Sequence, residues 1–334
     1  MPSDEARVDV GRCRLSATRG PAFGGTGAPI EVPHASQFDF TSEITGHEYR
    51  IFVAVPPVEP PAGGFSVLYL LDGNFAFTTA AYAVGGLLLG GEIRPTVVVG
   101  IGYQTVEPVV LGARRFKDLA TPATPEWIAA LLSRAPSGIP GLAPDTACNV
   151  DGFLRVIEEE IKPAIAGLAD INATDTVLMG HSLGGLAVIR ALFAAPRSFR
   201  SFAAGSPSIW WAGGNVLAAE PAFAAAVAAG HAQPSVFIAA GGDEQTVTQA
   251  AVRYYGSEPR AAEAVGLARM VDNAAELGQR LSLLRGGPRF SVRTVVFAEE
   301  SHMSVIPTFI TRGVRHALGV DGSVDLSPVS QSGP

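Results

Sequence analysis

Residues 180–184 read Gly-His-Ser-Leu-Gly, after the apolar run 176–179 and ahead of an apolar stretch of helical type. A serine that merely lines a loop needs no glycine two residues to either side. A serine on a strained strand-to-helix turn does, because strand and helix backbones must approach closely around it. Such a serine becomes a nucleophile when a base takes its proton, and the base needs a carboxylate to hold its tautomer. The pentapeptide alone is a weak signal, since a chain with 38 glycines yields such strings as ordinary turns. Its weight comes from two further stretches nearer the C-terminus.

Gly241-Gly242-Asp243-Glu244-Gln245 closes one apolar run and Glu299-Glu300-Ser301-His302 closes another. Serine, acid and histidine therefore come in the order that an acyl-transfer triad on a parallel sheet requires. His302 is the expected base. His34 lies in the polar N-terminal stretch, His47 in a turn, and His231 and His316 near helix ends, where capping or solvent contact accounts for them. His181 adjoins Ser182, but neighbours on a tight turn point apart, so it is expected to shape the elbow or the pocket. For the acid, Asp243 and Glu244 both reach, and the residues themselves leave the choice open.

Charge on a carbonyl oxygen needs backbone donors. The N–H of Leu183, at a helix start, is one. The second is expected from Leu71-Asp72-Gly73-Asn74, with Gly73 adopting an unusual backbone angle that aims the Asn74 N–H inward. Weaker motifs drop out: Gly100 and Gly102 lack the third glycine of a dinucleotide fingerprint, and Glu158-Glu159-Glu160 reads as a solvated helix face. Trp210 and Trp211 read equally well as core or as pocket wall.

The elements that position these residues are legible as periodicity. Residues 37–43 and 48–55 alternate like an antiparallel hairpin; 66–71, 96–101, 176–180, 201–205, 235–240 and 290–297 are mostly continuous apolar runs, as in strands buried on both faces. Helical stretches intervene at 152–166, 183–195 and 262–285. The expectation is an α/β doubly wound, mostly parallel sheet of about eight strands with helices on both faces, Ser182 following the fifth strand. One domain over 35–318 is expected, with 1–34 and 319–334 loosely held and 103–150 forming a lid-like excursion.

Composition narrows the function classes. With 24 Lys and Arg against 31 Asp and Glu the formal charge is −7, and the longest basic cluster is Arg114-Arg115-Phe116-Lys117, no footprint for a nucleic acid. Two cysteines, Cys13 and Cys148, and no CxxC or HExxH give no disulfide framework or metal site. No cofactor is expected. The polar, acidic N-terminus and the lack of an eighteen-residue apolar run predict a cytoplasmic protein without membrane contact; a homo-oligomer is compatible with all of this.

With these residues in place, the chain resembles the esterase D-like group of α/β-hydrolase esterases, which includes the bacterial siderophore esterases. The resemblance rests on 45–56, LYLLDGNFAF (68–77), RFKDLATP (115–122), MGHSLGG (179–185), SPSIWW (206–211), GGDEQ (241–245), 269–277 and ESHMSVIP (300–307). It implies a serine esterase using Ser182 and His302, favours Glu244 as the acid because the group reads G-E-x-E-Q there, and admits a Ser-His dyad. The excursion 103–150 departs from the pattern. Its Trp127, Ile128, Leu131 and Leu132 are expected as an apolar lid, and Arg115, unless it simply pairs with Asp118, as a pocket residue. The substrate expectation is therefore a small neutral or aryl ester cleaved through an acyl-enzyme. A siderophore trilactone, acyl transfer on the same fold, and a non-catalytic binding protein are the alternatives.

Overall fold

The computed structural model describes residues 30–135 and 138–320. Eight strands form one sheet: β1 (Ala35–Thr41), β2 (Glu48–Ala54), β3 (Phe65–Leu71), β4 (Thr96–Gly102), β5 (Ile171–His181), β6 (Ser201–Gly205), β7 (Ser235–Gly241) and β8 (Ser291–Phe297). Their spatial order is β1-β2-β4-β3-β5-β6-β7-β8. The hairpin β1–β2 and the β2–β4 pair are antiparallel, and every later pair is parallel. The expected architecture is present.

Between and after the strands run α1 (Gly73–Leu89), α2 (Pro108–Leu119), α3 (Pro125–Ser133), α4 (Val150–Val156), α5 (Lys162–Leu168), α6 (Leu183–Ala194), α7 (Glu220–Ala228), α8 (Gln249–Tyr255), α9 (Glu258–Ala268), α10 (Met270–Ser282) and α11 (Val305–Leu318). The sheet separates two cores. Because side chains alternate along a strand, Val67, Tyr69 and Leu71 of β3 face one core with α4, α6 and α10, while Leu68 and Leu70 face the other with α1 and α11. All seven residues of β3 are buried, which explains why that strand reads as a continuous apolar run.

The chain direction across the sheet reverses between β3 and β5. These two strands are parallel neighbours, Leu70 beside Met179, but the chain passes from β3 outward to β4 and then returns to β5 on the other side. Loops leaving two such strands diverge and open a crevice at their carboxyl ends. The loops in question are the ones that carry Asn74 and Ser182.

Two helical stretches differ from expectation. The 152–166 stretch is interrupted by a wide turn at Ile157–Ile161, where the Lys162 N–H reaches back to the Ile157 carbonyl. Pro163 comes next and has no N–H for the regular ladder. The 262–285 stretch is two helices, α9 and α10, separated by Arg269 in the left-handed region (φ 41). The expected loose segments lie almost wholly outside the described residues. No helix among the described residues is long and apolar enough to cross a membrane.

His316, in the last turn of α11, is half-buried against Phe237 with ring centroids 5.3 Å apart, and its Nε2 lies 2.9 Å from Ser235 Oγ. Burial, then the charges of Arg293 and Arg200, lower its pKa to about 4 from 6.5. Between those two values the unfolded chain is protonated at this site and the folded chain is not, so folding stability rises with pH across the window and is lost as pH falls. His316→Asn should remove that dependence. In urea titrations the wild type should lose about 2 kcal/mol more than the variant between pH 7 and pH 5, and parallel losses would contradict the assignment.

Candidate active site

β5 leads directly into Ser182, whose backbone sits at φ 61, ψ −118, and α6 begins at the next residue. A side chain is rarely found there, at a cost of about 1–3 kcal/mol. The surroundings over-determine the conformation. The Ser182 N–H donates to the Gly205 carbonyl at 2.9 Å, and the Ser182 carbonyl accepts from the N–H groups of Leu186 at 3.0 Å and Ser208 at 3.1 Å. The glycine spacing has a direct cause: a Cβ on Gly180 would lie 2.5 Å from the Gly184 carbonyl oxygen.

His302 Nε2 lies 3.0 Å from Ser182 Oγ, and its Nδ1 lies 2.6 Å from Glu244 Oε2. A carboxylate only accepts, so Nδ1 carries the proton and Nε2 is left free to take one from the serine. Glu244 Oε1 accepts from the Gly241 N–H at 2.7 Å and from the Ser206 hydroxyl. The Glu244 side chain is 1 % exposed and His302 40 %: the acid is sealed and fully partnered while the base faces the opening. The loop bearing His302 is fixed by Glu300, which accepts from Ser304 and Thr308. The Asp243 carboxylate makes no hydrogen bond to a described residue. The structure thus brings Glu244, and not Asp243, to the histidine. Ser206 was not anticipated, although it opens the SPSIWW stretch at the end of β6, where a residue touching the acid belongs.

Leu183 and Asn74 both stand in the first turns of helices, where amides have no intrahelical acceptor. The β3–α1 loop lies against the elbow, since a Cβ on Gly184 would be 3.3 Å from Asp72 Oδ2. The backbone geometry differs from expectation in one respect. The left-handed residue is Asp72 (φ 57), not Gly73. Gly73 is required instead by close packing, because a Cβ there would stand 2.8 Å from the Gly100 carbonyl carbon. The Asn74 side chain turns away from the site, donating to the carbonyls of Tyr103 (2.9 Å) and Thr105 (3.2 Å) and accepting from the Tyr103 N–H (2.8 Å). It clamps the helix start to the loop after β4.

A cavity of about 310 Å³ opens beside Ser182 and Leu183 and includes Arg115, Trp210 and Tyr254 in its wall. Gly73 and His181 do not line it. His181 packs behind the base, its ring 4.5 Å from that of His302. Burial, with the charges of His302 and Arg115, holds its pKa well below 6.5, so it stays neutral. Both tryptophans border the cavity: Trp210 is partly exposed, while Trp211 is fully buried, its indole N–H on the Thr121 carbonyl at 2.8 Å, and belongs to the core as well.

Arg115 does not pair with Asp118. It makes a two-pronged ion pair with Asp72 at 2.6 and 2.9 Å, which bridges the excursion to the β3–α1 loop. Asp118 is buried and meets His47 at 3.2 Å. The lid expectation is also corrected in part. Leu131 faces the cavity, but Ile128 is wholly buried and Trp127 packs edge-on against Trp211 at 4.9 Å. Those side chains extend the core instead of forming a mobile cover.

This arrangement holds a hydroxyl, an imidazole and a carboxylate in one hydrogen-bonded line, with helix-start amides beside it. That is the equipment for attack on a carbonyl carbon. The family model described as "Putative esterase" matches residues 142–269, which include the elbow and the acid. The chain is 32 % identical over 302 residues to the ferri-bacillibactin esterase of Bacillus subtilis, covering 90 % of this chain and 94 % of that one. The chain belongs to this esterase family. It is also 30 % identical over 307 residues to the siderophore triacetylfusarinine C esterase of Aspergillus fumigatus, covering 87 % of this chain and 96 % of that one. Among solved structures, a siderophore hydrolase from Aspergillus nidulans matches with a TM-score of 0.71 at 27 % identity, over 86 % of this chain and 96 % of that chain. As a member of the family, the chain is a serine esterase of the α/β-hydrolase fold that hydrolyses ester bonds.

The geometry generates a residue-level test of the acid. Glu244→Gln should lower turnover of an ester by about 10³–10⁴, because an amide there favours the wrong imidazole tautomer. Asp243→Asn should change it less than about threefold. Steady-state kinetics on one p-nitrophenyl ester decides this, and equal effects of the two changes would remove Glu244 from the relay.

Proposed function

We propose that this esterase hydrolyses the ester linkages of a siderophore, through an acyl-enzyme on Ser182. In this reading Ser182 Oγ attacks the ester carbonyl carbon as its proton passes to His302 Nε2. Glu244 steadies the imidazolium that results, and the oxyanion faces the N–H groups of Leu183 and Asn74. Collapse expels the alcohol, which takes the proton back from Nε2. Water, deprotonated by the same nitrogen, then frees the acid and restores the serine. The Ser182–His302–Glu244 line at 3.0 and 2.6 Å supports this assignment of roles.

The substrate class is supported by the names of relatives that align with nearly the whole chain, and by the cavity wall. Trp210, Tyr254 and Tyr255 present aromatic surface around Ser182, and the guanidinium groups of Arg115 and Arg134, paired on one edge with Asp72 and Glu263, border it. Aromatic faces and guanidinium groups together suit an anionic, aryl-bearing arm. A cavity of about 310 Å³ takes one such arm, with the rest of a larger molecule lying outside along Tyr254, which is 64 % exposed. A small neutral or aryl ester is the second reading, favoured by the apolar share of that wall from Leu131, Ile139 and Leu267.

A purified sample assayed on p-nitrophenyl esters of increasing chain length, and on iron-loaded and iron-free trilactone siderophores, separates the two. The expected result is a kcat/KM for a siderophore at least about 100-fold above that of every simple ester, since remote contacts assist the reacting centre. Ser182→Ala should cut turnover of all of them by about 10⁴. Simple esters turned over faster than either siderophore form would overturn the siderophore reading while leaving the esterase intact.

A further inference from the structure

Another concavity of the protein, about 820 Å³, lies at the opposite end of the sheet from Ser182. It is framed by Thr176 of β5, Arg200 just before β6, Ser235 of β7, Ser291 of β8 and the last turn of α11. Thr176 and Ser182 are separated by six residues of extended chain, about 20 Å. None of its lining residues is shared with the active-site cavity.

Its chemistry is unlike the rest of the chain. Five arginines line it, Arg197, Arg200, Arg289, Arg293 and Arg315, together with His231 and His316, and no Asp or Glu among the described residues lines it. The protein as a whole carries a formal charge of −7 with only 24 Lys and Arg, so about a fifth of its cationic side chains converge on one concave surface. Arg200 is compensated from the side by Asp175, and Arg315 by Glu92 at 2.9 Å. Arg197 and Arg289 are exposed, and neither side chain pairs with a described residue. The local potential is visible in His316, whose proton affinity is lowered by burial and then by Arg293 and Arg200. Its neighbours Ser235 and Ser291 are hydrogen-bonded to each other at 3.0 Å, placing hydroxyls on the same surface.

Scattered surface arginines are ordinarily solvated and need no ligand. Here they share a concave wall with no described acid among its lining residues, which concentrates a positive field around the exposed Arg197 and Arg289. Guanidinium forks match phosphoryl and carboxylate oxygens two at a time, and the volume is that of a small-molecule site. The cations are confined to the cleft rather than strung along a face, which does not fit a nucleic-acid track. We propose that this cleft is a second binding site, for a small multivalent anion of phosphoryl or polycarboxylate chemistry.

The test is calorimetric titration of the full chain with pyrophosphate and, separately, with citrate, in a buffer of about 20 mM ionic strength where screening is weak. Saturable binding is expected for at least one anion, and the stronger of the two identifies the chemistry. The Arg197→Ala/Arg289→Ala double variant should bind at least about tenfold more weakly. Its turnover of p-nitrophenyl butyrate and its melting temperature without ligand should be unchanged, since both side chains are exposed and unpaired. No saturable binding of either anion, or equal binding by the double variant, would overturn the proposal.

Discussion

Ser182 is held in a backbone conformation that serine does not choose, and the rest of the site depends on that constraint. Two backbone hydrogen bonds tie it to the neighbouring elements, from its N–H to the end of β6 and from the Ser208 N–H to its carbonyl. Both require β5 and β6 to end in register, which parallel pairing of Gly180 with Ala204 and His181 with Gly205 provides. The close approach of Gly180 and Gly184 then sets the first turn of α6 so that its amides and the serine hydroxyl face the same crevice. Placing this turn beside the reversal in strand order brings the β3–α1 loop against it without any long loop.

The electrostatics follow from burial. Glu244 is removed from water yet has three donors, from His302, Gly241 and Ser206, so its charge is compensated before any substrate arrives. His181, packed behind the base, stays neutral because burial, and after it the neighbouring His302 and Arg115, oppose its protonation. A second charge there would compete with the imidazolium that forms on His302. The Arg115–Asp72 pair joins the excursion after β4 to the loop carrying Asn74, so the cavity wall is tied directly to the β3–α1 loop.

Ser182 and His302 are legible in the sequence because each lies just after an apolar strand, and strand order dictates chain order. The choice between Asp243 and Glu244 is not, since adjacent residues on a short turn differ only in which way they point. Spacing shows that the Asp72–Asn74 loop needs an unusual backbone, but not that Asp72 adopts it, because the packing demand on Gly73 comes from Gly100 on another strand. Arg115 finds its partner 43 residues away, whereas a reading of local sequence offers the nearer Asp118. The break at Arg269 is hidden within an unbroken helical pattern. The arginine cleft leaves no local signal at all, its residues being spread from 197 to 315 and gathered only by the sheet.

Every role assigned to the site turns on Ser182 being the residue this fold activates. A fluorophosphonate incubated with the protein, with mass-spectrometric peptide mapping afterwards, reads that directly, because only a serine with a base at hydrogen-bond distance reacts quickly. The expected result is a single stoichiometric label on Ser182, formed in step with loss of esterase activity. A label on Ser208, whose hydroxyl lies 3.5 Å away, or inactivation with Ser182 unmodified, would contradict it.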